Sequence, residues 1–330
     1  MKPVVLALLA ALAFSQPLHA YLHFTGLRAG KPVAITWERA PVRWFATDRG
    51  VPGVSPSDFQ AAMARAFSVW EAVPTASIAF QFAGFSGAEP FEDDGVSVVG
   101  FQDEPDLDRV LGATGFLIDT VTGEIVEADI FFNSTFPWST AAGGDPDRFD
   151  LESVAVHEAG HFLGLGHSAL GETEPRPDGG RRVLASGAVM FPISFGRGVT
   201  HDRELQPDDV AGVSALYPDG GFRAETGVAR GRVTRNGAGV RGAHVVAYSQ
   251  QTGRLVGGFT LNDGGEFEIA GLSPGAHVIR VEPLDDADVD SFFSARSPID
   301  LDFQVTFHPR LFAAPRGGTG EPFTVAVRPK

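Results

Sequence analysis

Apolar positions follow two periods over the first two thirds of the chain and a single one over the last third. Between residues 57 and 70 they fall at Phe59, Ala62, Met63, Ala66, Phe67 and Trp70, the spacing that lays one stripe along a helix. Pro56 and Ser57 suit a helix start, and Pro74 lies just past the end. The same period predicts helices over 149–165 and 206–216. Residues 77–82 alternate apolar and polar as a half-buried strand does, and 96–101, 110–118 and 124–132 are further strand-like runs. After Gly220-Gly221 the helical period is absent. Short strand-like runs at 228–233, 243–248, 259–260, 266–269 and 277–281 are separated by the turn formers Asn236-Gly237, Thr252-Gly253, Asp263-Gly264-Gly265 and Ser273-Pro274-Gly275. The pattern predicts an α+β protein: a mixed sheet with three helices over residues 21–220, then a small all-β sandwich over 227–330.

The opening residues follow a different logic. Lys2 precedes an apolar run over 4–14, and Ala20 ends the stretch on a small residue, so residues 1–20 read as a signal peptide and the mature protein as secreted or extracytoplasmic. The run is too short to span a membrane, and no later segment offers about 20 uninterrupted apolar residues. Hydrophobic residues make up 43% of the 330, which supplies a packed core and excludes a disordered or fibrous chain. Lys+Arg 26 against Asp+Glu 41 gives −15, which speaks against nucleic acid or an anionic membrane as partner. Cysteine is absent, so disulfides, thiolate catalysis and Cys-ligated metals are excluded.

The chemistry concentrates in one segment, His157-Glu158-Ala159-Gly160-His161-Phe162-Leu163-Gly164-Leu165-Gly166-His167. On a helix, residues four apart lie about 40° apart around the axis, so His157 and His161 project from one face. Neutral imidazoles so placed suit Zn²⁺, whose nitrogen ligands stand at about 2.0–2.1 Å. Gly164 can end the helix in a left-handed conformation, which lets the chain turn back and deliver His167 as a third ligand. Three protein ligands leave a fourth position for water, the mark of a catalytic site, and Glu158 can take that water's proton. A lone histidine is usually a hydrogen-bonded core or surface residue. Three in this fixed pattern with a Glu and a Gly arise by composition about once in 10⁴ chains of this length.

These residues resemble the metzincin metallopeptidases, whose extended motif is followed by a methionine turn. Ser186-Gly187-Ala188-Val189-Met190-Phe191-Pro192 is similar to that turn, and Ser168, Pro192 and the run 205–217 narrow the resemblance to the matrixin branch. The resemblance implies a secreted zinc endopeptidase with one catalytic zinc on His157, His161 and His167, Glu158 as general base and Met190 as the apolar floor. A protein or peptide substrate would lie extended along an edge strand at Gly112, Ala113 and Thr114. Matrixins also hold a structural zinc through strand histidines; runs 111–116 and 128–133 contain none, so that site is expected to be lost. A cysteine switch is excluded, no long pro-segment fits between Ala20 and the fold, and the polar stretch 168–185 is expected to reshape access to the cleft.

Asp208-Asp209 match the matrixin pair that anchors a new amino terminus, here Tyr21, or else act as helix-start acids. The runs Glu92-Asp93-Asp94, 103–108 and Asp145-Pro146-Asp147 are candidate Ca²⁺ ligands or merely solvated faces. Residues 227–284 resemble a carboxypeptidase-regulatory-like, prealbumin-type β-sandwich. No organic-cofactor site is read, and substrate preference and oligomeric state stay open. The rival function is an extracellular surface-binding or adhesive protein, in which the sandwich acts and the zinc domain is structural; a general base at Glu158 disfavours it.

Overall fold

A computed structural model of the chain describes residues 4–7, 22–28, 31–177, 179–194, 196–293 and 298–330. The central sheet is built from β1 (Val42–Thr47), β2 (Phe80–Ser86), β3 (Val98–Gln102), β4 (Gly112–Asp119) and β5 (Ile125–Asn133). Its order is β4-β5-β3-β1-β2, with Val4–Ala7 against the outer edge of β4 at Phe116–Asp119. All pairs among β2, β1, β3 and β5 are parallel, and only β4 runs antiparallel to its neighbour β5. Central strands of such a sheet are covered on both faces, which is why β3 is buried up to Gln102 and β5 everywhere except Val126.

Helix α1 (Pro56–Glu71) buries all six residues of the predicted stripe, and Ser55 caps it by accepting from the Asp58 N–H at 3.2 Å. Helix α2 (Leu151–Phe162) starts on Asp150, whose carboxylate accepts from the Ser153 N–H at 2.8 Å. Indole nitrogens bind α2 to the rest: Trp70 Nε1 donates to the Val156 carbonyl and Trp37 Nε1 to that of Phe162, both at 2.8 Å. The predicted helix over 149–165 stops three residues early. Gly164 sits at φ +94°, and a Cβ there would stand 2.5 Å from the Ile35 carbonyl, so glycine is required for the turn. Helix α3 (Pro207–Leu216) matches its predicted span. Tyr217, which follows it, donates its hydroxyl to the Leu163 carbonyl at 2.8 Å.

Several elements differ from the sequence pattern. Strand β1 was not foreseen, because Arg43 interrupts a short run. Residues 77–79 alternate but do not join β2; Ser77 N–H instead bonds the Tyr217 carbonyl at 2.7 Å. The polar stretch after His167 forms an antiparallel hairpin, Gly171–Pro175 with Arg181–Ser186. Of the segment read as an export signal, Val4–Ala7 is the sheet-edge strand named above, and the rest lies outside the described residues.

Past α3, strands β6 (Gly227–Arg235), β7 (His244–Ser249), β8 (Leu255–Phe259), β9 (Glu266–Leu272), β10 (Gly275–Glu282) and β11 (Phe323–Val327) make two sheets. In one, β6 pairs with β9 and, in parallel, with β11; in the other, β7 lies between β8 and β10. Val233, Val245, Phe267, Ile279, Phe303 and Val325 are fully or nearly fully buried in the apolar core that the two sheets share. Ala211 of α3 belongs to this core too. A further cluster joins the two halves of the chain, with Ala169 and Phe191 from the first and Phe259, Phe292 and Phe293 from the second.

Two carboxyls on β5 are deeply buried. Asp129 accepts from the Val98 and Phe91 N–H groups at 2.8 and 2.7 Å, and Glu127 from that of Gly95. Burial outweighs these bonds and pushes both up to about 7. A folded-state value above the unfolded one, about 3.9 for Asp and 4.3 for Glu, favours the folded state most when the group is protonated. Their contribution is full below about pH 4 and is lost as pH rises through about 7. Urea denaturation of the native chain and of Asp129→Asn at pH 5 and pH 7 should show a smaller loss of stability with rising pH in the variant. Equal losses would mean that Asp129 ionises freely in the folded state.

Candidate metal centre

Helix α2 places His157 and His161 one turn apart, and the tight turn at Gly164 returns His167 to face them. The candidate ligand nitrogens of the three all lie within 4.8 Å of one another. Each Nδ1 is committed to a main-chain carbonyl: His157 to Val189 at 2.7 Å, His161 to Leu165 at 2.8 Å and His167 to Ser291 at 2.6 Å. Those bonds place the proton on Nδ1 and leave a lone pair on each Nε2. His161 Nε2 and His167 Nε2 stand 3.1 Å apart. Two lone pairs facing one another at that distance repel unless a cation lies between them. Tetrahedral ligands about 2.0–2.1 Å from a zinc ion would stand about 3.3 Å apart, so the donor set fits that ion.

Burial also keeps the rings neutral. It lowers the His157 pKa and drives that of His161 well down, with the neighbouring imidazoles His167 and His157 adding to the second effect. His167 falls to about 3, through burial and then the proximity of His157. A neutral imidazole is the form that ligates metal.

Glu158 is 4% exposed, and burial pushes its carboxyl up to about 7 against the opposing hydrogen bond from Thr114. Thr114 Oγ1 donates to Glu158 Oε2 at 2.7 Å. A Cβ at Gly112 would lie 3.4 Å from Oε1, so β4 passes directly beside the carboxylate. Of the three residues read as a substrate edge, Gly112 and Thr114 thus lie beside Glu158, and Ala113 stands between them on the strand. On their outer side Val4–Ala7 pairs only with Phe116–Asp119, so among the described residues no strand covers Gly112–Gly115.

Met190 is 3% exposed and packs under α2. Its Sδ would lie 2.2 Å from a Cβ at Gly160, the residue before His161. The turn that carries it is held by Asp209, whose carboxylate accepts from the N–H groups of Val189 at 2.8 Å, Met190 at 3.1 Å and Gln206 at 2.8 Å. Asp208 faces elsewhere, accepting from Ser168 Oγ at 2.6 Å and the Gly257 N–H at 2.8 Å. Both carboxylates thus have partners within the fold, and Tyr21, the expected amino terminus, lies outside the described residues. The sequence reading missed the partners Thr114 Oγ1, Ser291 and Gly257. The last two act through backbone atoms, which leave no side-chain signature.

The acidic runs do not gather in the same way. Among the described residues, the histidine triad is the one group of three or more His, Asp or Glu side chains whose ligand atoms converge.

Residues 36–174 match the Matrixin family of peptidases. Metalloendoproteinase 1 of Glycine max is 32% identical over 178 residues, covering 48% of this chain and 45% of that protein. Metalloendoproteinase 4-MMP of Arabidopsis thaliana is 28% identical over 176 residues, covering 52% and 44%. Metalloendoproteinase 5-MMP, also of Arabidopsis thaliana, is 44% identical over 70 residues, covering 21% and 14%. The chain spans less than half the length of each of these relatives. Among solved structures, the Bacillus anthracis TIE protein aligns over 32% of this chain and 17% of its own at 15% identity, with a TM-score of 0.20.

The contact between Gly160 and Met190 makes a prediction. Gly160→Ala should lower stability by about 1–3 kcal/mol through overpacking, less the roughly 1 kcal/mol that Ala gains over Gly in a helix. Chemical denaturation of the metal-free protein measures it. A variant more stable than the native chain by the full helix gain would show that Met190 has room to move.

Proposed function

We propose that the chain is a secreted zinc-dependent endopeptidase, with residues 1–20 as signal peptide, 21–220 as catalytic domain and 227–330 as an accessory β-sandwich of prealbumin type. The observation that carries the reading is the set of three imidazoles, His161 buried and His157 and His167 half-buried, each with Nδ1 on a carbonyl and its ligand nitrogen near the other two. The match to the Matrixin family and the similarity to proteins named metalloendoproteinases support it. In the proposal one zinc ion is held by His157, His161 and His167, where it would polarise a carbonyl and acidify water.

The chain's own groups supply the rest. Thr114 holds Glu158 Oε2 and leaves Oε1 to take a proton from the attacking water. Burial keeps this carboxyl weakly acidic, so the proton can pass on to the leaving amine. The main-chain groups of Gly112, Ala113 and Thr114, on the uncovered stretch of β4, are available to pair with an extended substrate backbone. Met190 and the Asp209-bound turn keep water from the back of the site.

Two variants separate the roles. Glu158→Gln should keep about one equivalent of zinc and lose about 10²–10⁴-fold in kcat/KM on a quenched fluorescent peptide. His161→Ala should lose both zinc and turnover, and a strong chelator should abolish native activity, with recovery on adding zinc. A Gln variant that cleaves at near-native rate would remove Glu158 from the role of base. A native protein that binds no zinc would overturn the reading altogether.

A further inference from the structure

Two of the three candidate ligands are oriented by carbonyls close to them in the fold of the first half, Val189 and Leu165. The third is not. His167 Nδ1 bonds the carbonyl of Ser291, 124 residues further along, at 2.6 Å. That carbonyl sits in the short 3-10 turn Val289–Ser291, which Phe292 and Phe293 close by donating their N–H groups to the Val289 carbonyl, both at 2.9 Å. The two phenyl rings are buried with Ala169, Phe191 and Phe259, and Phe292 meets the His167 ring edge-on at 5.9 Å.

A second contact reaches the same segment independently. The Gly257 N–H on β8 donates to Asp208, whose other oxygen takes the hydroxyl of Ser168, the residue after His167. Ser168 in turn donates its N–H to the Met190 carbonyl at 2.8 Å. Glycine is needed for this approach, since a Cβ at 257 would lie 2.7 Å from Nε2 of His244, itself fixed by Glu282 at 3.0 Å. The second half of the chain thus reaches His167 directly from a turn, and its neighbour Ser168 through Asp208 from a strand.

We propose that the C-terminal sheets are a structural part of the metal centre: the Val289–Ser291 turn and β8 together set the tautomer and position of His167, so that metal affinity depends on both halves of the chain. The inference rests on the zinc reading and adds to it that Ser291 and Gly257 are positioning residues, acting through His167 and Ser168.

The test uses the full chain and measures zinc affinity by chelator competition rather than by activity. Phe292→Pro removes one of the two N–H groups that close the turn and drives Ser291 out of helical geometry, so its carbonyl leaves His167. Zinc affinity should fall about 10–100-fold, the usual cost of losing such an orienting partner, and the cobalt(II) absorption spectrum should change with it. Phe292→Leu, which keeps the backbone and an apolar side chain, should stay within about threefold of the native affinity. In the zinc-loaded native chain, the His167 Nδ1 proton should exchange slowly and show nuclear Overhauser contacts to residues 291 and 292. That measurement decides the matter should the proline variant fail to fold. Unchanged affinity in a folded Phe292→Pro, equal weakening in both variants, or absence of the proton contact would overturn the inference while one equivalent of zinc in the native chain leaves the zinc reading intact. A native chain without zinc overturns both.

Discussion

Three imidazoles withdrawn wholly or partly from water, with their Nδ1 protons already committed, impose the condition that the surrounding structure has to meet. Removing polar nitrogens from water without partners costs several kcal/mol, and here half of each ring's hydrogen-bonding capacity points at the others. The fold supplies the outer half from three carbonyls, and each carbonyl needs its own support. Val189 is held by Asp209, Leu165 by the turn at Gly164, and Ser291 by the aromatic cluster around Phe292. Rigid orientation of this kind raises ligand basicity and fixes the tautomer before any metal arrives.

The pair Asp208-Asp209 shows how adjacent, chemically identical side chains divide such work. Successive helix positions point about 100° apart, so the two carboxylates meet different neighbours. Asp209 turns toward the methionine turn and collects three amides. Asp208 turns toward the second half and takes Ser168 and Gly257. Burial pushes both upward, to about 6 for Asp209 and about 7 for Asp208, and the amides they accept pull the other way. The helix-start role, one of the two readings available from the sequence, accounts for the Gln206 N–H that Asp209 accepts as a capping box, but not for the amides of Val189 and Met190 or for the partners of Asp208.

Much of the first half was legible because its signals are local. The α1 stripe is one face of one helix, and its six residues are the ones buried. The triad was legible because two ligands share a helix and the third follows a glycine that only a left-handed turn explains. What escaped the sequence depends on distant or backbone partners. Strand β1 is defined by parallel neighbours at Phe80–Ser86 and Val98–Gln102, which no local alternation announces. The polar stretch after His167 shows no element of its own until Thr173 is seen bonded to Asp286 and Arg181 to Asp285 across the chain. A carbonyl such as that of Ser291 belongs to every residue type, so its role is invisible without the fold.

The hairpin Gly171–Pro175 with Arg181–Ser186 has its base clasped on both sides. Ser168 N–H bonds the Met190 carbonyl at 2.8 Å, and Gly187 N–H bonds that of Leu170 at 2.7 Å. The geometry of His167 and Met190 is therefore set below the hairpin, independently of what projects above it. Lengthening a loop whose ends are already pinned costs only about 0.6 kcal/mol for each doubling. The span between third histidine and methionine turn is thus a docking point for change: descendants of this chain can lengthen, trim or recompose the hairpin's far end while the clasp preserves the ligand geometry beneath it.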